Sequence, residues 1–599
     1  MSRRMLLPFA VVGAALLSAA AGAQVGNAWV TFSQQPSMLG LAPLVLSDSD
    51  TQVAFRTGDL DQDGWEDVVA VRKQQASQLG KRTSVLLMNE GGVLIDRTAQ
   101  YAATSDAAGD QGFLTPRNTR ECALGDVNVD GWLDVVTANT LSDGDPKTIS
   151  HPGVYVNLAQ DGSGTWQGLR LEHARVPQLL TVGGLAVAPR FADLAVADVT
   201  GDGAPDAYFV DYDGTDTGIA EPSAWDLNDR LLVNDGNGFF TDGSSAAFTV
   251  VQLKSAFGSD AQAIDANNDG AVDIVKCTSL SNPTAVRLLY NDPASIGNFT
   301  TTGVSDFGSS SPYGMDLGNL NNDGIPDVAI VDDANDKFRL GQSFDALNKI
   351  VWGPLKSYTF VTGSDDGFGL HPYLRDLDGN GWNDVLVTDV DVDLPGCQRR
   401  LHIYHNLGSV PGELNIVLRE EAELASGSQG AGWKGVVGMS AADAKGSYDL
   451  AFADFDHDGD LDFLLATCHG AEFFRNEGVG EVCQADLGFG SPGVQLSLCG
   501  DDLTQPGSLA TLSLTGVAPS SLLFVVGSLT SVPTPFKGGT LVPIPPLILL
   551  QGNLIDGAGA FSTPVPGGGG TPVHVFVQCV TLSLGHYQLS NALDCLLGS

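Results

Sequence analysis

A nine-residue segment with a fixed pattern of oxygen-bearing side chains occurs seven times along the 599-residue sequence. In the first copy, Asp59–Asp67, aspartates stand at positions one, three, five and nine, and glycine stands at position six. A short apolar run such as Val68–Val71 follows each copy. Seven copies in register constrain the fold strongly, because they call for seven similar structural units. The other copies begin at Asp126, Asp198, Asp265, Asn319, Asp376 and Asp454.

The segment is typical of a calcium-binding loop. Ca²⁺ takes six to eight oxygen ligands at about 2.3–2.6 Å. Side chains at positions one, three and five of a tight loop can point inward, position seven can offer its backbone carbonyl, and position nine can complete the ligand shell. Glycine at position six allows the sharp reversal of the chain. Asx-rich segments also form good turns without an ion, but seven copies with the same four positions favour calcium.

The loops differ from EF-hands, which need a bidentate glutamate at position twelve and flanking helices. Segments after the loops, such as DVVAV and DVLVT, are typical of β-strands. The sequence therefore predicts calcium loops built on β-turns. Position twelve is never acidic; it is Ala70, Thr137, Phe209, Lys276, Ile330, Val387 and Leu465.

The spacing of the loops predicts an all-β propeller. Successive loops start 54 to 78 residues apart, which suits a four-stranded blade with variable connections. After each loop strand, a hairpin signal with Asn and Gly recurs, as in LLVNDGNGFF at 231–240. Repeat five lacks a clear copy, and Phe338–Gly341 is the best candidate. A β-helix and several small domains are the alternatives, although the period is long and irregular for a β-helix.

Loops such as DLDQDGWEDVV and DFDHDGDLDFLL, each followed by an Asn-Gly hairpin, resemble the FG-GAP/VCBS repeats of exported bacterial proteins. The resemblance spans roughly residues 30–480 and implies a seven-bladed propeller like the head of integrin α chains. It also implies Ca²⁺ as the bound ion. Thr200, Asn319 and Asn321 depart from the acidic pattern. The implied ligands are Asp59, Asp61, Asp63, Trp65 and Asp67; Asp126, Asn128, Asp130, Trp132 and Asp134; Asp198, Thr200, Asp202, Ala204 and Asp206; Asp265, Asn267, Asp269, Ala271 and Asp273; Asn319, Asn321, Asp323, Ile325 and Asp327; Asp376, Asp378, Asn380, Trp382 and Asp384; and Asp454, Asp456, Asp458, Asp460 and Asp462.

Three segments make up the predicted domain organisation. Residues 1–23 are predicted to be a signal peptide, with a basic start, an apolar stretch and the A-x-A pattern at 21–23. Residues 24–481 are predicted to form the propeller, with the segment from Val30 to Thr57 completing the last blade and so removing free edges. Residues 482–599, rich in Gly, Pro, Ser, Leu and Val, are predicted to form a β-sandwich-like module. Its GSPG and SNAL segments are similar to C-terminal modules of exported planctomycete proteins.

Export and charge limit the possible partners. A net charge of −41 and a pI near 4.2 disfavour nucleic acid and anionic membranes. No stretch after the signal peptide predicts membrane insertion. We therefore expect a secreted or cell-surface protein whose partner is an extracellular protein or a glycan.

Two function classes remain open. The first is a calcium-stiffened binding or adhesion module without catalytic activity. The second is an extracellular polysaccharide lyase or hydrolase on the same propeller, with the insertions at 73–82 and 389–398 as the places to search. The chain contains no G-x-S-x-G, H-E-x-x-H or P-loop motif. A cleft that gathers Arg or Lys, His or Tyr with carboxylates would favour the enzyme.

Export permits disulfides. Turn geometry predicts two hairpins in the C-terminal module, centred near Ser491 and Tyr587, which would pair Cys483 with Cys499 and Cys579 with Cys595. The other four cysteines fall in different repeats and are expected to be free and buried; they are Cys122, Cys277, Cys397 and Cys468.

Overall fold

The computed structural model describes most of the chain from residue 29 onward. The predicted signal peptide lies outside the described residues. The described residues are 29–40, 51–74, 80–140, 151–180, 190–212, 228–255, 258–278, 285–307, 311–332, 335–360, 369–389, 400–408, 410–420, 422–423, 432–433, 435–439, 444–468, 470–477, 485–491, 494–500, 509–537, 539–545, 548–555, 560–566, 572–583 and 586–598.

Within these residues, seven antiparallel sheets each contain one of the seven loops. We call them blades one to seven, in the order of the loops. In every blade the loop joins the first strand to the second. The strands, from first to fourth, are Thr51–Gly58, Asp67–Gln74, Val85–Asn89 and Leu94–Asp96; Thr119–Gly125, Asp134–Asn139, Gly153–Asn157 and Leu169–Leu171; Phe191–Ala197, Asp206–Asp211, Arg230–Asn234 and Phe240–Asp242; Gly258–Ile264, Asp273–Thr278, Ala285–Leu289 and Val304–Phe307; Pro312–Gly318, Asp327–Asp332, Lys337–Arg339 and Lys356–Ser357; Gly369–Arg375, Asp384–Asp389, His402–Asn406 and Leu418–Glu420; and Ser447–Ala453, Asp462–Thr467, Gly470–Asn476 and Val30–Gln34.

The blades form a ring because each buries both of its faces against a neighbour. In the second strand of blade one, Val68 and Ala70 belong to the core shared with blade seven. Val69 and Val71, on the opposite face of the same strand, belong to the core shared with blade two. Burial on both faces explains why the second strands are continuous apolar runs rather than alternating ones. Similar cores join every other pair of neighbours, and the first strands contact one another around the centre. The fold is therefore a β-propeller.

The N-terminal strand closes the ring. Val30–Gln34 pairs antiparallel with Gly470–Asn476, with Phe32 opposite Asn476 and Gln34 opposite Phe474. The prediction that this region completes the last blade is confirmed for Val30–Gln34. Thr51–Gly58, which belonged to the same predicted segment, instead forms the first strand of blade one.

Short additional strands extend several blades. Thr104–Ser105, Thr359–Phe360 and Val436–Val437 pair in parallel with the outer strands of blades two, six and seven. Blade five inserts a hairpin, Gly341–Phe344 with Ile350–Trp352, before its outer strand. This insertion explains why its Asn-Gly signal is missing from the sequence. A further pair joins Ala422–Glu423 to Gly432–Trp433.

The C-terminal region forms two packed sheets, as predicted for a β-sandwich. One contains Ala485–Gly488, His586–Gly598, Pro572–Ser583, Leu522–Ser528 and Ile548–Leu554, and the other contains Gln495–Gly500, Leu509–Thr515 and Phe561–Pro566. Leu496 and Leu514 from the smaller sheet share a core with Leu523, Leu593 and Cys595 from the larger one. A hairpin of Ser531–Phe536 and Gly539–Pro543 extends from the sandwich.

The predicted Cys579–Cys595 disulfide is wrong, because both cysteines are free and buried. Ser583 pairs with His586, so the hairpin turns earlier than expected, and Cys595 lies opposite Val575. The other predicted hairpin is also absent, since Ala485–Gly488 and Gln495–Gly500 belong to different sheets. Cys483 lies outside the described residues.

The cysteines of the propeller divide into two groups. Cys122 and Cys277 are free and buried, as predicted. Cys468 is disulfide-bonded, contrary to the prediction. Cys397 lies outside the described residues.

Helical structure in the described part of the chain is limited to single turns. These are the α-helices Thr98–Tyr101 and Ser244–Ala247 and the 3-10 helices Pro36–Leu39, Gly112–Leu114 and His173–Arg175. Among the residues described, no helix is long and apolar enough to cross a membrane.

Candidate functional site

All seven acidic loops adopt the same backbone conformation. Position six is glycine with φ between 81° and 98°, and position four also lies in the left-handed region, with φ between 56° and 72°. A Cβ on Gly64 would meet nothing within 4 Å, so glycine is required there by the backbone angle and not by space. Sequence reasoning missed position four because several residue types occupy it. They are Gln62, Val129, Gly201, Asn268, Asn322, Gly379 and His457.

The loop carboxylates hold this conformation by accepting backbone hydrogen bonds. In loop one, Asp59 accepts the N–H groups of Asp63 and Gly64 at 3.1 and 3.0 Å, and Asp63 accepts that of Trp65 at 2.9 Å. In six of the seven loops, the aspartate at position one accepts a hydrogen bond from the backbone N–H of the glycine at position six. Each side chain retains lone pairs that can bind an ion.

Three loops bring three carboxylates together. Their ligand atoms lie within 4.8 Å of one another in loops one, six and seven, which belong to neighbouring blades. Asp59, Asp61 and Asp67 form the first cluster; the others are Asp376, Asp378 and Asp384, and Asp454, Asp456 and Asp462. Hard carboxylate oxygens at this spacing fit Ca²⁺.

Three buried loop oxygens without a hydrogen-bond donor also fit a bound cation. Oδ1 of Asp454 in loop seven is buried without a hydrogen-bond donor, and so are Oδ1 of Asn267 in loop four and of Asn319 in loop five. In loops two, four and five the side-chain amide at position three donates to the aspartate at position five, at 2.8 to 3.1 Å. An amide thus replaces the position-three carboxylate that loops one, six and seven contribute to their clusters, which makes loops two, four and five weaker candidates.

The aspartate at position nine is buried in every loop. Asp67 accepts the N–H groups of Leu60 at 3.0 Å and of Asn89 at 2.9 Å. Burial raises the pKa of Asp67 to about 8, with the nearby Asp61 and Asp63 acting in the same direction. The same burial raises the pKa of Asp134, Asp273, Asp327 and Asp462 to about 7 and of Asp206 to about 6, and raises that of Asp384 well above its usual value.

In six blades, an asparagine at or just after the end of the third strand connects the blade to its neighbour, a role that the sequence did not reveal. The side-chain amide of Asn157 in blade two donates to the carbonyl of Leu60 in loop one at 2.8 Å. Five other blades repeat the contact with the loop of the preceding blade, through Asn89, Asn234, Asn291, Asn406 and Asn476. Blade five has Gly341 at this place.

The loops also touch one another. The amide of Gln62 in loop one donates to the carbonyl of Gly131 in loop two at 2.6 Å. The ring of His457 in loop seven stacks on Trp65 of loop one, with centroids 3.8 Å apart. The seven loops lie on one face of the propeller, because each joins the first strand of its blade to the second.

A second polar cluster, which we call the axial cluster, lies where the first strands meet. It consists of Glu121, Asp193, Asp260, His371 and Asp449, all buried and each on a different first strand. Three of the carboxylates accept backbone N–H groups from the next blade at 2.6 to 2.9 Å. At the centre of the ring, one edge of each first strand has no neighbouring strand to accept its backbone N–H groups. The carboxylates of the axial cluster accept hydrogen bonds from three of these groups.

Ion pairs with His371 offset part of the negative charge of the axial cluster. His371 Nε2 lies 3.2 Å from Glu121, and His371 Nδ1 lies 3.9 Å from Asp260. Burial alone would lower the pKa of His371, but Asp260 and Glu121 raise it well above its usual value. Burial raises the pKa of Asp449 to about 6, and burial with the nearby Asp260 raises that of Asp193 well above its usual value.

A cavity of about 300 Å³, which we call the axial pocket, lies beside this cluster. Its wall includes Arg56, Asp316, Tyr373, Arg375 and Phe452, together with Asp260 and His371 of the axial cluster. The sequence signal for the pocket was available but weak, since ionisable side chains interrupt otherwise apolar strands just before the loops. The insertions at 73–82 and 389–398, which the sequence analysis names as places to search for an enzyme site, lie largely outside the described residues.

Comparison with known proteins adds little about function. No protein-family profile and no curated protein matches the sequence. Among solved structures, a lectin from Agrocybe aegerita that recognises non-reducing terminal N-acetylglucosamine is 16% identical with a TM-score of 0.36, over 60% of this chain and 78% of the lectin. The Dos1 propeller is 9% identical with a TM-score of 0.33, over 76% and 96% of the two chains. Trypanosoma rangeli sialidase is 12% identical with a TM-score of 0.32, over 84% and 91%. These similarities are too low to carry an argument about function, and the description of the fold rests on the strand order of this chain.

Proposed function

We propose that the protein is an exported, calcium-binding β-propeller of the FG-GAP/VCBS type that binds an extracellular glycan or protein through its loop-bearing face. The observation that carries the proposal is the shared geometry of the seven loops on one face, with three carboxylates clustered in loops one, six and seven. Ca²⁺ bound there would neutralise clustered charge and fix each turn to its two strands. The ion supplies rigidity and positive charge, and the face supplies the binding surface.

Calcium binding is tested by thermal melts in millimolar Ca²⁺ and in chelator, at neutral pH and fixed ionic strength. A ligand that binds only the folded state stabilises it by RT ln(1 + [L]/Kd), about 2.7 kcal/mol per site at 100 Kd. We expect a large fall in melting temperature with chelator that Ca²⁺ restores and Mg²⁺ restores poorly, since Mg²⁺ needs a tighter octahedral site. Asp61→Ala should remove one site, and Asn321→Ala in loop five should matter least. Superimposable melts and no heat of Ca²⁺ binding would refute this function.

The second candidate, a polysaccharide lyase or hydrolase, is favoured by one observation. The axial pocket gathers arginine, histidine and tyrosine side chains with carboxylates, which is the arrangement that such chemistry needs. His371 is poorly suited to be the base, because both of its ring nitrogens face carboxylates. Incubation with acidic and neutral polysaccharides, monitored for unsaturated products and for new reducing ends, distinguishes an enzyme from a binding module.

Glycan and protein ligands are distinguished by a glycan and matrix-protein array, probed with and without Ca²⁺. Export is tested by N-terminal mass spectrometry of secreted material, where cleavage after Ala23 should leave Gln24 at the mature end. An intact Met1 on secreted protein would contradict the proposed processing.

A further inference from the structure

We propose that the axial pocket binds a sugar that carries a carboxylate, such as a uronic acid residue of an acidic polysaccharide, with Arg56 and Arg375 as the carboxylate anchors. This inference rests on the proposed glycan-binding function and names the ligand class and the residues. It concerns a site apart from the calcium loops, although the pocket and the loops share the same strands.

Both guanidinium groups of the axial pocket are on partly exposed side chains. Arg375 uses Nη1 to donate to the carbonyl of Leu374 at 2.8 Å, and the same atom lies 3.7 Å from Asp316. Among the described residues, no partner is found for its Nε and Nη2, and 40% of the side chain is exposed. Arg56 also lines the pocket, with 32% of its side chain exposed. Its guanidinium is positioned by Glu121 at 3.2 Å and Asp449 at 3.8 Å.

Two arginines that share a cavity are unusual in this chain, which has 30 basic and 71 acidic residues. Their planar donor groups match a carboxylate in a bidentate arrangement. The guanidinium of Arg375 also lies 5.2 Å from the ring centroid of Phe452 and 5.9 Å from that of Tyr373. The aromatic contacts limit the motion of the cation, so that less conformational entropy is lost on binding.

Two carboxylates beside the arginines offer hydrogen-bond acceptors to a ligand. Asp316 accepts the amide of Gln262 at 2.7 Å and the backbone N–H of Leu374 at 2.8 Å, which fixes its orientation. Asp260 accepts the backbone N–H of Met315 at 2.9 Å. A carboxylate has about four acceptor positions, so both can still accept hydroxyl groups.

Donors and acceptors together select the ligand class. A simple anion would leave the carboxylates unused, and a neutral sugar would leave Nε and Nη2 of Arg375 unused. A ligand with an ammonium group is disfavoured, because the carboxylates of the pocket already face arginine, histidine or backbone N–H groups. A sugar acid supplies one carboxylate and several hydroxyl donors, and Phe452 and Tyr373 offer apolar surface for the ring. A volume of about 300 Å³ is at the lower end for small-molecule sites and suits one sugar residue.

The two arginines lie close in sequence to two of the calcium loops. Arg375 directly precedes Asp376 of loop six, and Arg56 lies just before Asp59 of loop one. Both loops belong to the group with three clustered carboxylates. Calcium in these loops would therefore fix the strand ends that carry the two arginines and would lower the negative charge around the pocket.

The test compares two sugars that differ only in the carboxylate. Calorimetric titration of the Ca²⁺-loaded full chain with D-galacturonate and with D-galactose should show binding of galacturonate that is at least tenfold tighter. Arg375→Gln should weaken galacturonate binding by at least tenfold. Arg375→Lys keeps the charge but loses the bidentate donor, and should give an intermediate loss. The control is Arg97→Gln, which removes an exposed arginine paired with Glu90 and should bind as the wild type does. Melting curves establish that each variant is folded.

Several results would overturn the inference. These are equal binding of galactose, unchanged binding by folded Arg375→Gln and Arg375→Lys, or equal competition by inorganic phosphate, sulfate or glycine. Failure of this inference and failure of the calcium function are distinguishable, because calcium binding is measured without sugar. Galacturonate binding by a protein that binds no Ca²⁺ would leave this inference standing and refute the calcium function.

Discussion

Asn406→Ala removes a side chain that ties blade six to blade five. Asn406 is 1% exposed. Its Nδ2 donates to the carbonyls of Leu320 and Asn383, both at 2.8 Å, and its Oδ1 accepts the N–H of Gly408 at 3.0 Å. The substitution therefore deletes three hydrogen bonds and leaves buried carbonyl groups without donors.

The size of the effect follows from these contacts. Three hydrogen bonds at about 0.5–1.5 kcal/mol each give a loss of about 3 kcal/mol in the free energy of unfolding. The unfolding entropy of about 2.1 cal/mol/K per residue amounts to about 1 kcal/mol/K over the roughly 450 residues of the propeller. If the ring unfolds as one unit, differential scanning calorimetry should show a fall in melting temperature of about 3 °C.

Two further variants sharpen the test. Asn237→Ala, at an exposed asparagine of a blade-three turn, should change the free energy of unfolding by less than about 0.5 kcal/mol. Asn406→Asp keeps the acceptor for Gly408 but places a carboxylate oxygen against two carbonyls, so its loss should exceed that of Asn406→Ala. A wild-type melting temperature for Asn406→Ala would refute the assignment of this asparagine as a connection between blades.

Three other predictions concern buried charge, buried thiols and backbone strain. Burial alone would raise the pKa of Glu420, but His402 and Arg400 lower it from 4.5 to about 2, so its ionised form stabilises the fold above pH 4.5. That contribution, about 3 kcal/mol, is lost as the pH falls from 4.5 to 2; Glu420→Gln should flatten this part of an acid titration followed by circular dichroism. Burial raises the pKa of both core cysteines of the C-terminal sandwich to about 12, so iodoacetamide should label them in denaturant and not in the native protein. Gly64→Ala should cost about 1–2 kcal/mol in thermal melts because of its φ of 94°, whereas Gly64→Asn should cost less.

The all-β class, the propeller and the C-terminal sandwich were predictable because they follow from local patterns. A glycine-centred acidic turn followed by an apolar run specifies a strand–loop–strand unit, and seven repeats specify a ring of similar blades. The alternation of Val68 and Val69 between two cores explains why these runs lack a polar face. The closing role of Val30–Gln34 was predictable because two strands after the last loop leave its blade incomplete.

The features that were missed depend on contacts between residues far apart in sequence. A single sequence does not reveal such contacts. Asn157 reads as a turn residue, and only the ring places its amide against the carbonyl of Leu60. His371 and Glu121 are far apart in sequence, yet they lie 3.2 Å apart at the centre. The cysteine prediction failed because it centred the hairpin near Tyr587, whereas Ser583 pairs with His586 and the turn therefore lies about two residues earlier.

The position of the two arginines gives the loops a role beyond stability. A loop that binds Ca²⁺ at Asp376 immobilises the backbone one residue from Arg375, because the first ligand and the arginine are adjacent in the chain. Immobilising a rotamer-rich side chain costs about 0.5–1.5 kcal/mol of conformational free energy. When the backbone is already fixed, part of this loss has occurred before the ligand binds. Calcium should therefore tighten galacturonate binding by the wild type more than by Arg375→Gln. An equal effect of calcium on both would indicate that the ion acts on the pocket only through its charge.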